Sequence, residues 1–425
     1  MRHARTNLLT ILILLGLVAG ALVGQFVVHD PAVPIGADHW MREVGDVVLI
    51  RPLKLLIIPL IFFSVIAGIS RIGDPARLGL VGGATLVYYL ATMLLAVVLG
   101  TTLVSWLQPG VLPTDAGAAM IAASESAWSP SGGQSLGSAW MNIVHQVIPV
   151  NIVQDMAAGR PLGVIVFAIL FALALSAGGE RTEAARRFFD ACFEGMMLLV
   201  RWVIWLTPIG VFFLVAWTVG RIGLDQVGGP LGAYMGTVLL GLAVHGFIVL
   251  PLVLWLCTRK NPFRFMWQMQ RALFTAIGTD SSSATLPVTI DTAENEGECS
   301  KRAANFVLPL GSTINMDGTA LYEAVAVVFL FQLYGVDLAF SQLVVVVITA
   351  TLAAIGAAGI PSAGLVTMVI VISAVNTSLT GSATEGLPLA AIGFIIGVDR
   401  LLDMCRTAIN VWGDAVGAKI ISRIA

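Results

Sequence analysis

This sequence is short of charge: Asp, Glu, Lys and Arg make up 11% of its 425 residues. Soluble domains carry about 25%, so this chain cannot dress a water-facing surface. Cysteine is equally scarce. Cys192, Cys257, Cys299 and Cys405 are scattered and form no C-x-x-C pair, which leaves a disulfide framework and a zinc site without support. There is no basic arm and no aromatic–basic stripe, so nucleic acid is not expected as a partner. Neither a phosphate-cradling loop nor a nucleophile–base pair is visible, which argues against an enzyme. The alternating pattern of a membrane barrel is missing too. The formal net charge of −2 selects no partner.

What the chain does have is apolar length. Hydrophobic residues make up 57% of it, with a mean hydropathy of +0.92. Runs at 8–28 and 55–69 approach or reach the roughly 20 residues needed to cross a bilayer core, and they read as helices. Arg2, His3 and Arg5 precede the first run. That run is too long for the apolar region of a signal peptide and has no convincing small-residue cleavage site after it, so it is read as the first membrane helix.

Basic residues divide the chain. They recur at Arg71 and Arg77, at Arg181, Arg186 and Arg187, and at Arg259, Lys260 and Arg264, then at Lys301 and Arg302 and at Lys419 and Arg423. The positive-inside rule puts all of these, and both termini, in the cytoplasm. Helices near 8–28 and 43–70, 81–107 and 140–179, and 195–219 and 229–257 then return the chain to the inside in pairs. The Gly-, Ser- and Pro-rich stretch 108–138 falls outside.

Residues 265–297 lie between two basic clusters and must begin and end on one side. Asp280-Ser281-Ser282-Ser283 and Pro287 interrupt them. A helix that enters, turns at a polar tip and leaves satisfies both facts, provided the tip is buried in protein or faces a watery cavity. Residues 342–378 are broken in the same way by the Gly- and Pro-containing stretch 356–364. Paired interrupted segments point to a transporter's binding site. Two Gly-kinked spanning helices would keep the same parity. With two hairpins, 301–333 and 386–420 remain as single crossings.

The last helix carries Asp403, Arg406, Thr407, Asn410 and Asp414 at i, i+3/i+4, i+7 and i+11, on one helical face. Such groups are expensive in a membrane and should face a cavity or each other. Arg406 suits a two-pronged grip on a solute carboxylate, and Asp403 suits an ammonium. The plainer reading is an Asp403–Arg406 bridge within one helix, which leaves Asn410 and Asp414 unexplained. Earlier in the chain, Asn315-Met316-Asp317-Gly318-Thr319 interrupts an apolar stretch. Gly318 permits unwinding, and the freed carbonyls with Asn315, Asp317, Asn410 and Asp414 form an oxygen-rich set for a monovalent cation. A turn without a ligand is the alternative. Glu323 stands alone among apolar residues, a candidate proton carrier or a permanently protonated structural residue. His145 and His245 have no partner at ligand spacing and are read as structural. Arg51 and Lys54 are read as snorkelling to headgroups.

Four motifs, taken in order, resemble the glutamate/aspartate transporter family, the dicarboxylate/amino acid:cation symporters. They are Ser281-Ser282-Ser283-Ala284-Thr285-Leu286-Pro287, Asn315-Met316-Asp317-Gly318-Thr319, the stretch 356–364, and the run 403–414. The resemblance covers nearly the whole chain. It implies an all-α polytopic protein of eight transmembrane helices and two re-entrant hairpins, assembled as a homotrimer in the plasma (inner) membrane. A scaffold (1–80 and 108–225) would hold a transport domain (81–107 and 226–425) that moves like an elevator, gated by the second hairpin.

It further implies that Arg406 binds a side-chain carboxylate and Asp403 an amino group. Ser281, Ser282, Ser283, Met316, Thr319, Ile360, Pro361, Gly364, Thr407 and Asn410 would complete the pocket. One sodium would sit among Gly311, Asn315, Asn410 and Asp414. A second would sit at Thr313 with the backbone of Ala354, Ile355 and Ala357, and a third at Tyr89, Thr92, Asn315 and Asp317. Glu323 matches the glutamate of proton-coupled members, which adds protons and makes potassium countertransport thinkable.

The chain departs from the family at three places. Asp280 stands where relatives carry Ser or Arg, and it is expected to pair with Arg400. Met93 replaces a hydroxyl near the third sodium, and Ala354 and Ala357 lack hydroxyls near the second. The function implied is symport of L-aspartate or L-glutamate. A C4-dicarboxylate symporter and an anion-conducting channel are the competing readings, and neutral solutes would leave Arg406 without an anionic partner.

Overall fold

The structure, a computed structural model, describes residues 2–30, 35–36, 38–70, 75–111, 148, 150–158, 161–355, 363–380 and 386–424. The expected loop 108–138 falls almost wholly outside the described residues, as do 140–147 and the second hairpin tip, 356–362, with Ala357, Ile360 and Pro361. Every regular element among the described residues is helical. The helices are α1 (Arg2–Val23), α2 (Trp40–Gly45), α3 (Arg51–Ser70), α4 (Pro75–Leu107), α5 (Ile152–Ala157) and α6 (Pro161–Ala177). They continue with α7 (Glu183–Ile204), α8 (Thr207–Ile222), α9 (Leu224–Val244), α10 (Leu250–Thr258), α11 (Pro262–Gln268) and α12 (Gln270–Thr279). The last six are α13 (Ser282–Asn295), α14 (Lys301–Ile314), α15 (Asp317–Leu333), α16 (Phe340–Ile355), α17 (Ala363–Thr380) and α18 (Ile396–Ile421). Widened π turns link α1 onward to Val28, α2 to α3 and α9 to α10.

Among the described residues, four helical stretches are long and apolar enough to cross a membrane: Ile11–Val28, Leu80–Leu107, Gly228–Thr258 and Lys301–Leu333. Shorter apolar helices accompany them, including Phe340–Ile355 and Thr367–Thr380. Large apolar side chains such as Phe26, Leu55, Trp106 and Phe340 lie on the outside, which is the surface a protein shows to lipid rather than to water. The chain is a multi-pass helical membrane protein.

The crossing expected at 195–219 begins earlier and is interrupted. Arg186 and Arg187 sit in the opening turns of α7 rather than in a loop, because Glu183 pairs with both, at 2.9 Å to Arg187. The helix stops at Trp205 and Leu206 and restarts as α8, where Pro208 occupies the first turn and supplies no donor to the preceding turn. The stretch expected at 140–179 is described only from Ile148, as short α5 and then α6.

α15 is the axis on which the candidate site is hung. All of its 17 residues are buried, as expected of a helix apolar on every side. It packs against α4, α9, α16, α17 and α18. α12 and α13 lie against each other and against α18. Their joint is two residues long: Asp280 ends α12 in the left-handed region (φ +52) and Ser281 caps α13, accepting from the Ala284 amide at 3.2 Å. The break between α14 and α15 falls at Asn315 and Met316, just before the expected Gly318. Gly318 has a different task. A Cβ there would meet the Arg406 carbonyl at 2.6 Å, so glycine is what lets α15 touch α18.

Candidate functional site

Two clusters of buried polar groups share α18. The first surrounds Arg406, which is 1% exposed. Its Nε donates to Asp403 Oδ1 at 2.8 Å, and its Nη2 pairs with the same oxygen. Its Nη1 lies 3.5 Å from Asp399 Oδ1, makes no hydrogen bond among the described residues, and closes on Gly364 at the start of α17. The Tyr322 ring lies under the guanidinium, 4.3 Å from its carbon, adding a cation–π contact. The bridge within α18 is therefore present, and Arg406 Nη1, ion-paired with Asp399 but making no hydrogen bond, can still donate to another acceptor.

Asp280 reaches this cluster from the α12–α13 joint. It forms an ion pair with Arg400 and accepts from the Thr407 hydroxyl at 3.3 Å. Ser281 and Ser282 are buried at the same joint, whereas Ser283 is exposed and is not brought to the cluster. Thr285 is buried and bonded to the Thr279 hydroxyl at 2.7 Å.

Asn410 joins this cluster to the next. Its Oδ1 accepts from the amides of Gly318 (2.7 Å) and Thr319 (3.4 Å), which caps α15 in place of Met316, whose own side chain makes no cap bond. Its Nδ2 reaches Thr319 Oγ1 at 3.2 Å and the Met316 sulfur at 3.3 Å.

The second cluster lies past Asn410. Asn315 donates to Asp414 Oδ1 at 3.1 Å and accepts from the Thr92 hydroxyl at 3.4 Å. Asp317 is 0% exposed and its Oδ1 has no hydrogen-bond partner among the described residues. Gly311 and Gly413 leave room for the carboxylates: a Cβ on Gly413 would stand 2.6 Å from Asp317 Oδ2, and one on Gly311 would collide with Asp414. The Tyr89 hydroxyl donates to the Val307 carbonyl at 2.6 Å and that of Tyr88 to Gly413 at 2.8 Å. Met93 is buried among them without an oxygen to offer.

No Lys or Arg pairs with Asp317 or Asp414 among the described residues. Two buried carboxylates, an amide oxygen and hydroxyls without a counter-charge fit a hard monovalent cation. No group of three or more His, Cys, Asp or Glu gathers for a transition metal among the described residues. Thr313, half-buried, donates to the Leu310 carbonyl of its own helix at 3.1 Å, and Ala354 and Ile355 are buried at the end of α16.

Glu323, fully buried on α15, accepts from the Thr367 hydroxyl of α17. His245, expected to be structural and without a partner at ligand spacing, does have a partner across helices. It is fully buried and its Nε2 stands 3.4 Å from Asp317 Oδ2. Its signal in the sequence was a lone polar residue in an apolar run, which gives no hint of a partner 72 residues away. Asp399, Tyr322 and Thr367 were also passed over. Of these, Asp399 was readable, since it stands one turn before Asp403 on the same face.

Comparison with known proteins agrees over almost the whole length. The profile of the "Sodium:dicarboxylate symporter family" matches residues 9–424. The chain is 37% identical to excitatory amino acid transporter 3 of Mus musculus, over 100% of the chain and 87% of that protein. It is 36% identical to neutral amino acid transporter B(0) of Homo sapiens, over 99% of the chain and 81% of that protein.

Proposed function

We propose that this chain, which belongs to the sodium:dicarboxylate symporter family, is a secondary active transporter of L-aspartate or L-glutamate. Family and relatives are transporters, so the coarse activity is sodium-coupled amino acid transport across a membrane. The acidic solute is the finer reading, and one observation carries it: the buried Arg406 guanidinium, with Nη1 making no hydrogen bond and turned toward the start of α17. A solute carboxylate is the partner that geometry invites. Asp403 then accepts from the solute ammonium, and Thr319, Thr407 and the Ser281–Ser282 joint close around it.

Sodium is the coupling ion on this reading, held by Asn315, Asp317, Asn410 and Asp414 with Thr92 and Tyr89. A second ion sits near Thr313 and the end of α16. Glu323, which accepts from Thr367 of α17, carries a proton on this reading. The assembly is a homotrimer in the plasma membrane with both termini cytoplasmic, eight spanning helices and two re-entrant hairpins. Residues 81–107 and 226–425 move as the transport unit against 1–80 and 108–225.

A neutral solute is the second reading, favoured by the likeness to neutral amino acid transporter B(0). The family's name also keeps a C4-dicarboxylate in the comparison. Purified protein in liposomes separates them. Labelled aspartate or glutamate should accumulate against its gradient when sodium is high outside, and alanine and succinate should not. Accumulation of alanine alone would assign the pocket to neutral solutes, and uptake that never exceeds equilibrium would assign a channel.

A further inference from the structure

Five ionisable side chains meet at the α12–α13 joint and the first half of α18: Asp280, Asp399 and Asp403 with Arg400 and Arg406. All are buried. Arg400 pairs with Asp280 and Arg406 with Asp403, while Asp399 shares Arg406 at 3.5 Å. Carboxylates therefore exceed guanidiniums by one. Among the described residues the neighbours do not redress this. Tyr322 and Glu323 face the cluster from α15, Tyr234 from α9 and Cys405 from α18, and none brings a positive charge. The sequence stretch 356–362 holds only Gly, Ala, Ile, Pro and Ser, so it has no ionisable side chain to add.

An acidic amino acid brings two carboxylates and one ammonium. Loading it would put a second uncompensated negative charge into a buried site within a membrane, where such charge is costly. We propose that a proton binds within the Asp280–Asp399–Asp403 trio together with the acidic amino acid and crosses the membrane with it, separately from any proton on Glu323. The inference rests on the acidic-solute reading above.

The proton comes from bulk water on the loading side, joins one carboxylate oxygen of the trio, and returns to water when the solute leaves. No other bond forms or breaks. It belongs to the trio as a unit, since closely coupled carboxylates titrate together. Asp280 is what creates the demand. Without it the remaining four groups balance.

The test counts protons per labelled amino acid in liposomes that contain a pH dye, under an inward sodium gradient. The wild-type chain should move one more proton per solute than Asp280→Asn. Adding Arg400→Gln to Asp280→Asn restores the excess carboxylate, and the count should return to that of the wild type. A purely structural role for Asp280 would not produce that reversal. Equal counts for wild type and Asp280→Asn overturn the inference, as does a double variant that stays at the lower count. Should Asp280→Asn fail to fold with Arg400 stranded, Asp399→Asn removes the same excess while leaving that pair intact and must lower the count. Wild-type protein that accumulates no acidic amino acid overturns the solute reading and this inference together. Accumulation at the lower count overturns this inference alone.

Discussion

The two clusters on α18 are built in opposite ways. Around Arg406, carboxylates and guanidiniums interlock, and every acid has a base within reach. Around Asp317 and Asp414 there are acids, amides and hydroxyls, and the only basic neighbour among the described residues is the imidazole of His245. The first arrangement sets two guanidiniums against three carboxylates, and on the proposed reading it selects a solute by the pattern of its charges. The second holds two buried carboxylates with no Lys or Arg partner among the described residues, and on that reading it takes a cation from outside. One helix would thus carry both a solute site and a cation site. Asn410 stands between them, bonded to the amides that open α15.

The contrast can be broken from either side. Arg406→Ala should have the largest effect. Removing one member of a buried charge pair costs about 3 kcal/mol, a hundredfold or more in affinity. Uptake of labelled glutamate should collapse, while any sodium-dependent uptake of alanine should survive or rise. Unchanged glutamate uptake would remove Arg406 from the pocket.

Asp414→Asn should strike the other cluster. The sodium concentration giving half-maximal uptake should rise by about a hundredfold, at the upper end of what losing a metal-site group costs. Equal losses of solute and sodium affinity, measured on saturating backgrounds of the other, would erase the distinction between the clusters.

His245→Leu should raise the sodium requirement by about tenfold, as for other partners that orient a ligating group. His245→Gln keeps a donor near Asp317 and should recover most of that loss, with little change in solute KM in either variant. Smallest of all, Trp412→Phe removes the bond from Nε1 to the Gly246 carbonyl, 3.0 Å long and located in the widened turn after His245. It should cost about 1 kcal/mol of stability, seen as a modest fall in the melting temperature of detergent-purified protein.

Much of this was legible in the sequence, for identifiable reasons. Apolar run length and basic punctuation mark the membrane helices, because bilayer thickness and the positive-inside rule act on local composition. The face formed by Asp403, Arg406, Asn410 and Asp414 was readable because one helix carries all four. His245 beside Asp317 was not, since pairing across helices leaves no trace in spacing. The place of Arg186 and Arg187 within α7 was not legible, since a basic cluster reads the same at a helix start as between helices. Gly318 was read correctly as special but for the wrong cause: the helix breaks before it, and its missing side chain serves the approach to α18.

Asn410 capping α15 has a consequence for how the protein is made. The amides of Gly318 and Thr319 are buried within the protein, and their acceptor lies 92 and 91 residues further along the chain. Because synthesis runs from the N-terminus, α15 is made before the residue that caps its first turn. Until α18 follows, that turn is held open, and a nascent chain stopped short of residue 410 presents it as a mark of incompleteness. The bond that positions the site is also the one by which the last helix completes an earlier one.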